Sequence, residues 1–211
     1  TAVEIILKSF KILTTRNICK VIQNSKNLFT VACSDETIKL LASIRLANRA
    51  LYNLAEKYNK LSGMGTTLAT VLIDEKENSI HICHVGDSRV YRLRNGVLEQ
   101  LTKDHSKVNE LIGQGKMTEE ESATSEIKSM ITRALGTQST VEIDHRVEHI
   151  LPDDYFVLCS DGLCGEVDDE AIKKVIVENI DDVSQGCKQL VELANDVSGN
   201  DNTTVITLKV N

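Results

Sequence analysis

The stretch Tyr155-Phe-Val-Leu-Cys-Ser-Asp-Gly-Leu163 decides the fold, because in it an apolar run ends abruptly on an acidic residue followed by glycine. An apolar run bounded by turn residues is typical of a fully buried strand. Asp161 is therefore expected at the mouth of this strand, where metal sites are often built. Ser160, Asp161 and Gly162 could also form an ordinary turn, in which Asp accepts backbone N–H bonds and Gly adopts a positive φ. From this stretch alone, both interpretations stand.

The composition limits the classes of function. The chain has 211 residues and a formal net charge of −7 at pH 7. This length favours one domain over two. The acidic balance argues against nucleic acid or an anionic membrane as a partner, because both require a basic face. A phosphate-bearing substrate would need local compensation, which divalent cations held by clustered Asp side chains can supply.

The cysteines and the absence of targeting segments predict an intracellular setting. The six cysteines contain no C-x-x-C pair, and Cys83 and Cys159 lie inside apolar runs. They are interpreted as buried thiols rather than zinc ligands. No signal peptide, transit segment or apolar run of about 18 residues is present, which predicts a cytoplasmic protein without membrane contact.

Apolar side chains recur at spacings of three and four in four segments, which predicts four amphipathic helices. The first begins at Ala2, and its pattern becomes irregular after Thr14. Ser34 and Asp35 are suited to cap the second helix. The helices predicted after the first cover residues 37–61, 168–178 and 183–198.

Strands are predicted mainly in the middle of the chain. Two β-rich runs around the polar turn at residues 74–78 predict an antiparallel hairpin, and Asn95-Gly96 is a strong signal for a second one. Together they predict an antiparallel meander. Because strands and helices come in blocks, the sequence predicts an α+β fold with largely antiparallel sheets. The predicted strands cover residues 66–73, 79–85, 90–94, 97–101, 129–134, 141–150, 155–159 and 203–210.

Residues 102–121 are polar and hold few large apolar side chains, which predicts a loosely packed flap within a single domain of residues 1–211. Asp104 or Ser106 can cap a short helix in this segment. Thr118 to Glu121 has the spacing of a capping box, which predicts a second helix start.

Three acidic residues occupy the same local setting, a glycine-containing break beside an apolar strand. They are Asp87 in Gly86-Asp-Ser-Arg89, Asp161 in Ser160-Asp-Gly162, and Asp201 in Gly199-Asn-Asp-Asn202. Hard cations such as Mg²⁺ and Mn²⁺ are bound by a few carboxylates plus waters. Three independent turns would show the same pattern, so the residues alone leave that alternative open.

Six motifs occur in the order and at the spacing of bacterial PPM-type protein phosphatases, the metal-dependent PP2C-like class. The chain resembles this family from about residue 1 to its end. The motifs are Gly63-Met-Gly-Thr-Thr-Leu68, His84-Val-Gly-Asp-Ser-Arg-Val-Tyr91, Leu101-Thr-Lys-Asp-His-Ser106, Ile131-Thr-Arg-Ala-Leu-Gly136, Leu158-Cys-Ser-Asp-Gly-Leu163 and Gly199-Asn-Asp-Asn-Thr203. The resemblance implies a β-sandwich of two antiparallel sheets flanked by helices, with two Mg²⁺ or Mn²⁺ ions at one end.

The resemblance also implies roles for individual residues. Asp161 and Asp201 resemble ligands of one of the two metals, and Asp87 with Asp161 resembles the site of a third. Asn202 would orient Asp201, since metal ligands are generally held by outer partners. Further support on the ligand or substrate side is implied for Ser160, Gly162 and Ser88. Residues 104–128 resemble the family's flap. His84 and His105 are interpreted as packing or capping residues.

The implied reaction is the hydrolysis of phosphoserine and phosphothreonine in proteins by a metal-activated water, with no protein nucleophile. The expected partners are a phosphoprotein substrate and a Ser/Thr kinase, and the expected state is a monomer. Two alternatives are a pseudophosphatase that binds phosphoproteins without turnover, and a phosphatase dedicated to one regulatory protein.

The sequence departs from the family pattern at its start. The family's bridging carboxylate lies in an Asp-Gly-Met-Gly-Gly motif, which residues 1–211 do not contain. Gly63-Met-Gly65 is a different element, because Ser62 precedes it and a long predicted helix lies before it. We therefore expect the sequence to be N-terminally incomplete, with two core strands of the sandwich absent from it. This absence motivates the pseudophosphatase alternative.

Overall fold

The structure is a computed structural model that describes residues 1–12 and 34–211. The part of the first predicted helix after Thr14 lies outside the described residues. The elements are α1 Ala2–Ile12, α2 Asp35–Lys57, a 3₁₀ turn Asn59–Leu61, β1 Leu68–Asp74, β2 Ser79–Val85, β3 Arg89–Arg94, β4 Val97–Gln100, α3 Lys107–Gly113, α4 Glu119–Ala123, β5 Asp144–His149, β6 Tyr155–Cys159, α5 Asp161–Cys164, α6 Asp169–Glu178, α7 Val183–Val197 and β7 Val205–Lys209.

The chain divides into two compact units. One comprises residues 1–67 and 133–143, and the other comprises residues 68–132 and 144–211. Within the parts of the chain that the structure describes, each helix is too short or too polar to span a lipid bilayer.

The first unit is built on helices α1 and α2, which pack against each other. Ser34 caps α2 as predicted, because its side chain accepts a hydrogen bond from the backbone N–H of Thr37. Asn48 on α2 is buried and bonds the segment that follows residue 133. Its Oδ1 accepts from the Gly136 N–H at 2.8 Å, and its Nδ2 donates to the Gln138 carbonyl at 3.0 Å.

The second unit contains two antiparallel sheets, with strand orders β1-β2-β5 and β4-β3-β6-β7. Side chains from β2 of the first sheet and from β6 of the second share one hydrophobic core, which includes Ile80, Ile82, Phe156 and Leu158. The sheets therefore face each other as a sandwich. This confirms the predicted α+β class with antiparallel sheets.

Strand β6 is buried on both faces, as its apolar run predicts. Tyr155, Val157 and Cys159 point away from the sandwich core and pack against a second cluster. That cluster includes Ile172 of α6 and Leu190 of α7, so two helices cover the outer face of this sheet. The strand that ends at Asp161 is the best-buried strand of its sheet, which gives that carboxylate a rigid base.

Both predicted hairpins form. Strands β1 and β2 pair directly, and β3 and β4 are joined at Asn95 and Gly96, whose φ values of 51° and 73° suit a tight hairpin turn. The predicted meander is wrong, however, because β2 and β3 lie in different sheets. The chain changes sheet at Gly86, where φ is 106°. Sequence alone does not show such a change, because a hairpin and a crossover both require only a break.

Three further predictions need correction. Residues 129–134 form no strand and make only isolated bridges, such as Ser106 with Ile131. Strand β5 begins at Asp144 instead of residue 141. Asp161 opens the short helix α5, so the alternative of an ordinary turn with a positive φ at Gly162 is wrong. In the segment 104–128, both predicted helix starts form, with Ser106 capping α3 and a capping box between Thr118 and Glu121.

Candidate metal centre

Asp161 stands where β6 leaves the core. The strand is buried throughout, Ser160 is half-buried and Asp161 is exposed. Gly162 follows at a point of close backbone approach, since a Cβ there would lie 2.6 Å from the Asn202 carbonyl oxygen. The glycine therefore lets the loop that carries Asp201 lie directly against the Asp161 loop.

Ser160 joins these two loops through backbone and side-chain bonds. Its backbone N–H donates to the Thr204 carbonyl at 3.1 Å, and its hydroxyl accepts from the Thr204 N–H at 3.0 Å. The same hydroxyl lies 3.3 Å from the Asn202 carbonyl. Thr203 adds a bond from its hydroxyl to the Gly162 carbonyl at 3.2 Å. These bonds hold the Asp201 loop in place relative to Asp161.

Asp201 itself is exposed and is oriented by its neighbour. The backbone N–H of Asn202 donates to Asp201 Oδ1 at 2.6 Å. We had expected Asn202 to orient Asp201, and the contact present is made by the main chain. An amide donor of this kind leaves the second carboxylate oxygen of Asp201 able to face a cation.

Asp87 lies at the crossover from β2 to β3 and is half-buried. Burial raises the pKa of its carboxyl group, and the nearby charge of Asp161 raises it further. Asp87 and Asp161 are therefore close enough to repel each other. Ser88, the next residue, lines a small cavity of about 140 Å³ together with Ser160 and Thr204.

The donor set fits a hard divalent cation. All three predicted ligands are carboxylates, which Mg²⁺ and Mn²⁺ prefer. The repulsion that raises the pKa of Asp87 would be relieved by a cation between Asp87 and Asp161. The pairing of Arg89 with Cys159 places Asp87 and Asp161 at the same end of neighbouring strands, and hydrogen bonds place the Asp201 loop beside the Asp161 loop. A site of this kind is completed by water, because Mg²⁺ keeps several waters when proteins bind it.

A second group of possible metal ligands, two histidines and one aspartate, has its ligand atoms close together. Among the described residues, His84, His105 and Asp144 offer ligand atoms that all lie within 4.8 Å of one another. The two imidazole rings are stacked, with centroids 4.6 Å apart, and His105 Nε2 lies 3.3 Å from Asp144 Oδ1. The interpretation of His84 and His105 as packing or capping residues did not include their meeting with Asp144. The register of β2 against β5 pairs His84 with Asp144, and bonds to Gly86 bring His105 beside them.

The sequence also did not reveal the partners of Arg89. Its guanidinium bonds both oxygens of Asp104 and the hydroxyl of Tyr91, which in turn donates to Asp169 at 3.0 Å. Burial alone would lower the pKa of Arg89, but the bonds to Asp104 outweigh it and the net shift is upward. Arg89 is therefore a structural cation in this arrangement. Cys83 and Cys159 are buried, as predicted, whereas Cys164 and Cys187 are only half-buried. Cys19 and Cys33 lie outside the described residues.

Comparison with known proteins agrees with this architecture. The family model described as Protein phosphatase 2C matches residues 2–196. The serine/threonine protein phosphatase PstP of Mycobacterium tuberculosis is 39% identical over 176 residues, which cover 83% of this chain and 33% of the relative. The serine/threonine phosphatase stp of Listeria innocua is 36% identical over 172 residues, covering 82% and 67%. The match thus spans a third of the length of the mycobacterial relative.

The structural comparison points the same way. The crystal structure of the catalytic domain of PstP in complex with 2 manganese ions is similar to this chain with a TM-score of 0.74 and 34% identity. The similarity covers 92% of this chain and 79% of that one. The fold of this chain thus has a counterpart in a solved phosphatase structure. The chain belongs to the protein phosphatase 2C family.

Proposed function

We propose that the protein is a metal-dependent phosphatase that hydrolyses phosphoserine and phosphothreonine in proteins. The observation that carries the proposal is the meeting of acidic loops at the end of β6. The pairing of Arg89 with Cys159 places Asp87 and Asp161 at the same end of neighbouring strands, and four hydrogen bonds hold the Asp201 loop against the Asp161 loop. Burial raises the pKa of Asp87, and the charge of Asp161 raises it further. Family membership supplies the reaction class.

Asp87, Asp161 and Asp201 would hold Mg²⁺ or Mn²⁺ through carboxylate oxygens. The bound cations would supply an activated water for attack on the phosphoester and would offset the charge of the phosphoryl oxygens. The protein's own contribution is placement. Strand β6 fixes Asp161, Ser160 ties the Asp201 loop to it, and the Asn202 N–H orients Asp201.

Replacing Asp161 by Asn in the full-length protein tests the proposal. The change keeps the size of the side chain but removes its charge, so Mn²⁺-dependent hydrolysis of an aryl phosphate and of a phosphothreonine peptide should fall by at least ~100-fold. The matched control is Asp196→Asn on the exposed surface of α7, which should leave the rate unchanged. Unaltered activity in Asp161→Asn would remove Asp161 from the metal centre.

The alternative is a phosphoprotein-binding module without turnover. It predicts that the wild-type protein binds phosphothreonine peptides but releases no phosphate in Mn²⁺ or Mg²⁺, and that calorimetry detects no Mn²⁺ binding. A Ser/Thr kinase as partner, a monomeric state, a cytoplasmic location and a single domain with a flap at residues 104–128 stay predictions from the sequence.

A further inference from the structure

The loop that carries Asp87 is held on both sides by two consecutive residues, Asp104 and His105. His105 bonds Gly86, immediately before Asp87, in both directions. The His105 backbone N–H donates to the Gly86 carbonyl at 2.9 Å, and the Gly86 N–H donates to His105 Nδ1 at 3.0 Å. Asp104 bonds Arg89, two residues after Asp87, at 3.0 Å to Nε and 2.8 Å to Nη2. We call this pair of residues the 104–105 clamp.

The hydrogen-bond partners determine which ring nitrogens carry a proton. A backbone N–H can only donate, so Nδ1 of His105 must be the unprotonated nitrogen. Its Nε2–H then faces Asp144 at 3.3 Å. The Lys103 carbonyl can only accept, so His84 Nε2, 2.9 Å away, carries its proton.

The same partners argue against reading His84, His105 and Asp144 as a cation site. His105 Nε2 could bind a metal only if Nδ1 were protonated, and that would break the bond from Gly86. The two rings are also nearly parallel, with an interplanar angle of 20°. In-plane lone pairs of parallel stacked rings do not point at one common atom. The group instead fixes the orientation of the His105 ring, with His84 on its face and Asp144 at its edge.

The clamp is buried, so water cannot easily replace the hydrogen bonds that hold the Asp87 loop. The His105 side chain is 8% exposed and the Asp104 side chain is 11% exposed. Gln100 Nε2 also donates to Asp104 Oδ1, at 2.9 Å. Removing an acceptor from a buried donor leaves that donor without compensation from water. The position of the Asp87 loop is therefore sensitive to the acceptor at His105.

The start of the segment 104–128 is bonded to the residues that follow the segment. The His105 carbonyl accepts from the Thr132 N–H at 2.8 Å, and the Lys107 N–H donates to the Met130 carbonyl at 2.8 Å. The chain that leaves the segment therefore returns to the residue that holds Gly86. A displacement of this segment would pull on the main chain next to Asp87.

We propose that Asp104 and His105 are positioning residues that set the place of Asp87 in the metal centre and connect it to the segment 104–128. The inference rests on the proposed function, because the metal role of Asp87 does. Its distinctive requirement is a hydrogen-bond acceptor at the δ position of residue 105.

Two substitutions of His105 separate the two ring positions. Asn places an acceptor oxygen near the position of Nδ1, whereas Gln places its amide near the position of Nε2. His105→Asn should keep the Gly86 amide as protected from hydrogen exchange as in wild type, as measured by NMR. In His105→Gln that amide should exchange roughly tenfold faster. We call the expected third metal site, at Asp87 and Asp161, the weak site. Its affinity for Mn²⁺, measured by calorimetry, should fall about 10- to 100-fold in His105→Gln and less in His105→Asn.

Thermal unfolding of both variants checks that each is folded at the temperature used. Equal Gly86 exchange in the two variants would overturn the positioning role, and so would equal Mn²⁺ affinity at the weak site. If wild type binds no Mn²⁺, the proposed function fails and with it the role of the clamp in a metal centre. The exchange rates would then still show whether His105 holds Gly86, so the two failures are distinguishable.

Discussion

At the scale of single residues, Gly162 is a position of the candidate site where a larger side chain cannot fit without moving the backbone. A Cβ at Gly162 would meet the Asn202 carbonyl oxygen at 2.6 Å and the Thr203 hydroxyl at 3.0 Å. The first of these is a backbone atom, so the contact can be relieved only by moving one of the two loops. The glycine after Asp161 thus allows two backbone segments to approach closely, in addition to lying in the first turn of α5.

We expect Gly162→Ala to destabilise the protein by about 1–3 kcal/mol, because the added methyl group forces the Asp161 and Asp201 loops apart. Urea unfolding monitored by circular dichroism measures this. Gly113→Ala is the matched control: it lies in helix α3, and nothing stands within 4 Å of its added Cβ. That change should be neutral or stabilise by up to ~1 kcal/mol. An equal loss of unfolding free energy in both variants would contradict the proposed close contact between the Gly162 and Asn202 backbones.

Single site residues could be predicted from the sequence only where the residues next to them in the chain reveal their role. Asp87, Asp161 and Asp201 could be selected because each lies in a glycine-containing break beside a strand. Asp144 could not, because its contact with His105 arises from the register of β5 and from the path of the chain after β4. The Asp104-His105 pair lies in a recognised motif, but its hold on Gly86 and Arg89 is a tertiary contact.

At the scale of elements, strands and turns with local signals were predicted well. The apolar run of residues 155–159 predicts the buried strand β6, and the Asn95-Gly96 pair predicts the hairpin between β3 and β4. Residues 129–134 have an apolar, β-compatible pattern, but they make only isolated bridges because no neighbouring strand lies alongside them. The crossover at Gly86 was missed for the same reason: the identity of a strand's partner is not a local property.

A charge network links elements of both sheets. Arg92 of β3 bonds Glu148 of β5 at 2.9 Å and Glu99 of β4 at 2.5 Å. Arg146 of β5 bonds the same two carboxylates, at 2.6 Å to Glu148 and 3.1 Å to Glu99. Since β5 belongs to one sheet and β3 and β4 to the other, the network ties the sheets together along one side of the sandwich.

Removing Arg92 should therefore cost more than removing an exposed ion pair. We expect Arg92→Gln to lower the free energy of unfolding by about 1.5–3 kcal/mol, since its side chain is only 10% exposed and both bonds are to charged groups. Arg133→Gln disturbs a pair whose carboxylate, Glu142, is 80% exposed, and should cost about 0–1 kcal/mol. Chemical denaturation of both variants compares them. Indistinguishable midpoints would show that the network does not hold the sheets.

At the scale of the whole molecule, the proposed metal centre connects to global stability. A ligand that binds only the folded state stabilises it in proportion to the logarithm of its concentration. Here the cation would also relieve the repulsion that raises the pKa of Asp87. Metal binding and folding should therefore be thermodynamically linked in this chain.

We expect Mn²⁺ at about 100 times its dissociation constant to stabilise the protein by about 2.7 kcal/mol, seen as a higher melting temperature in differential scanning calorimetry. A chelator should reverse the shift. In Asp161→Asn the shift should shrink, because the variant lacks the carboxylate shared by the expected sites. A melting temperature that is insensitive to Mn²⁺ at millimolar concentration would count against a metal centre built from these loops.

Because the chain changes sheet at Gly86, Asp87 and Asp161 of the candidate metal centre are held by different parts of the sandwich. Asp161 directly follows β6 of the second sheet, whereas Asp87 lies on the connection from β2 of the first sheet to β3 of the second. Any change in the spacing of the sheets, even one caused by a core substitution far from the loops, would move Asp87 relative to Asp161. The distance between these two carboxylates therefore depends on how tightly the two sheets pack against each other.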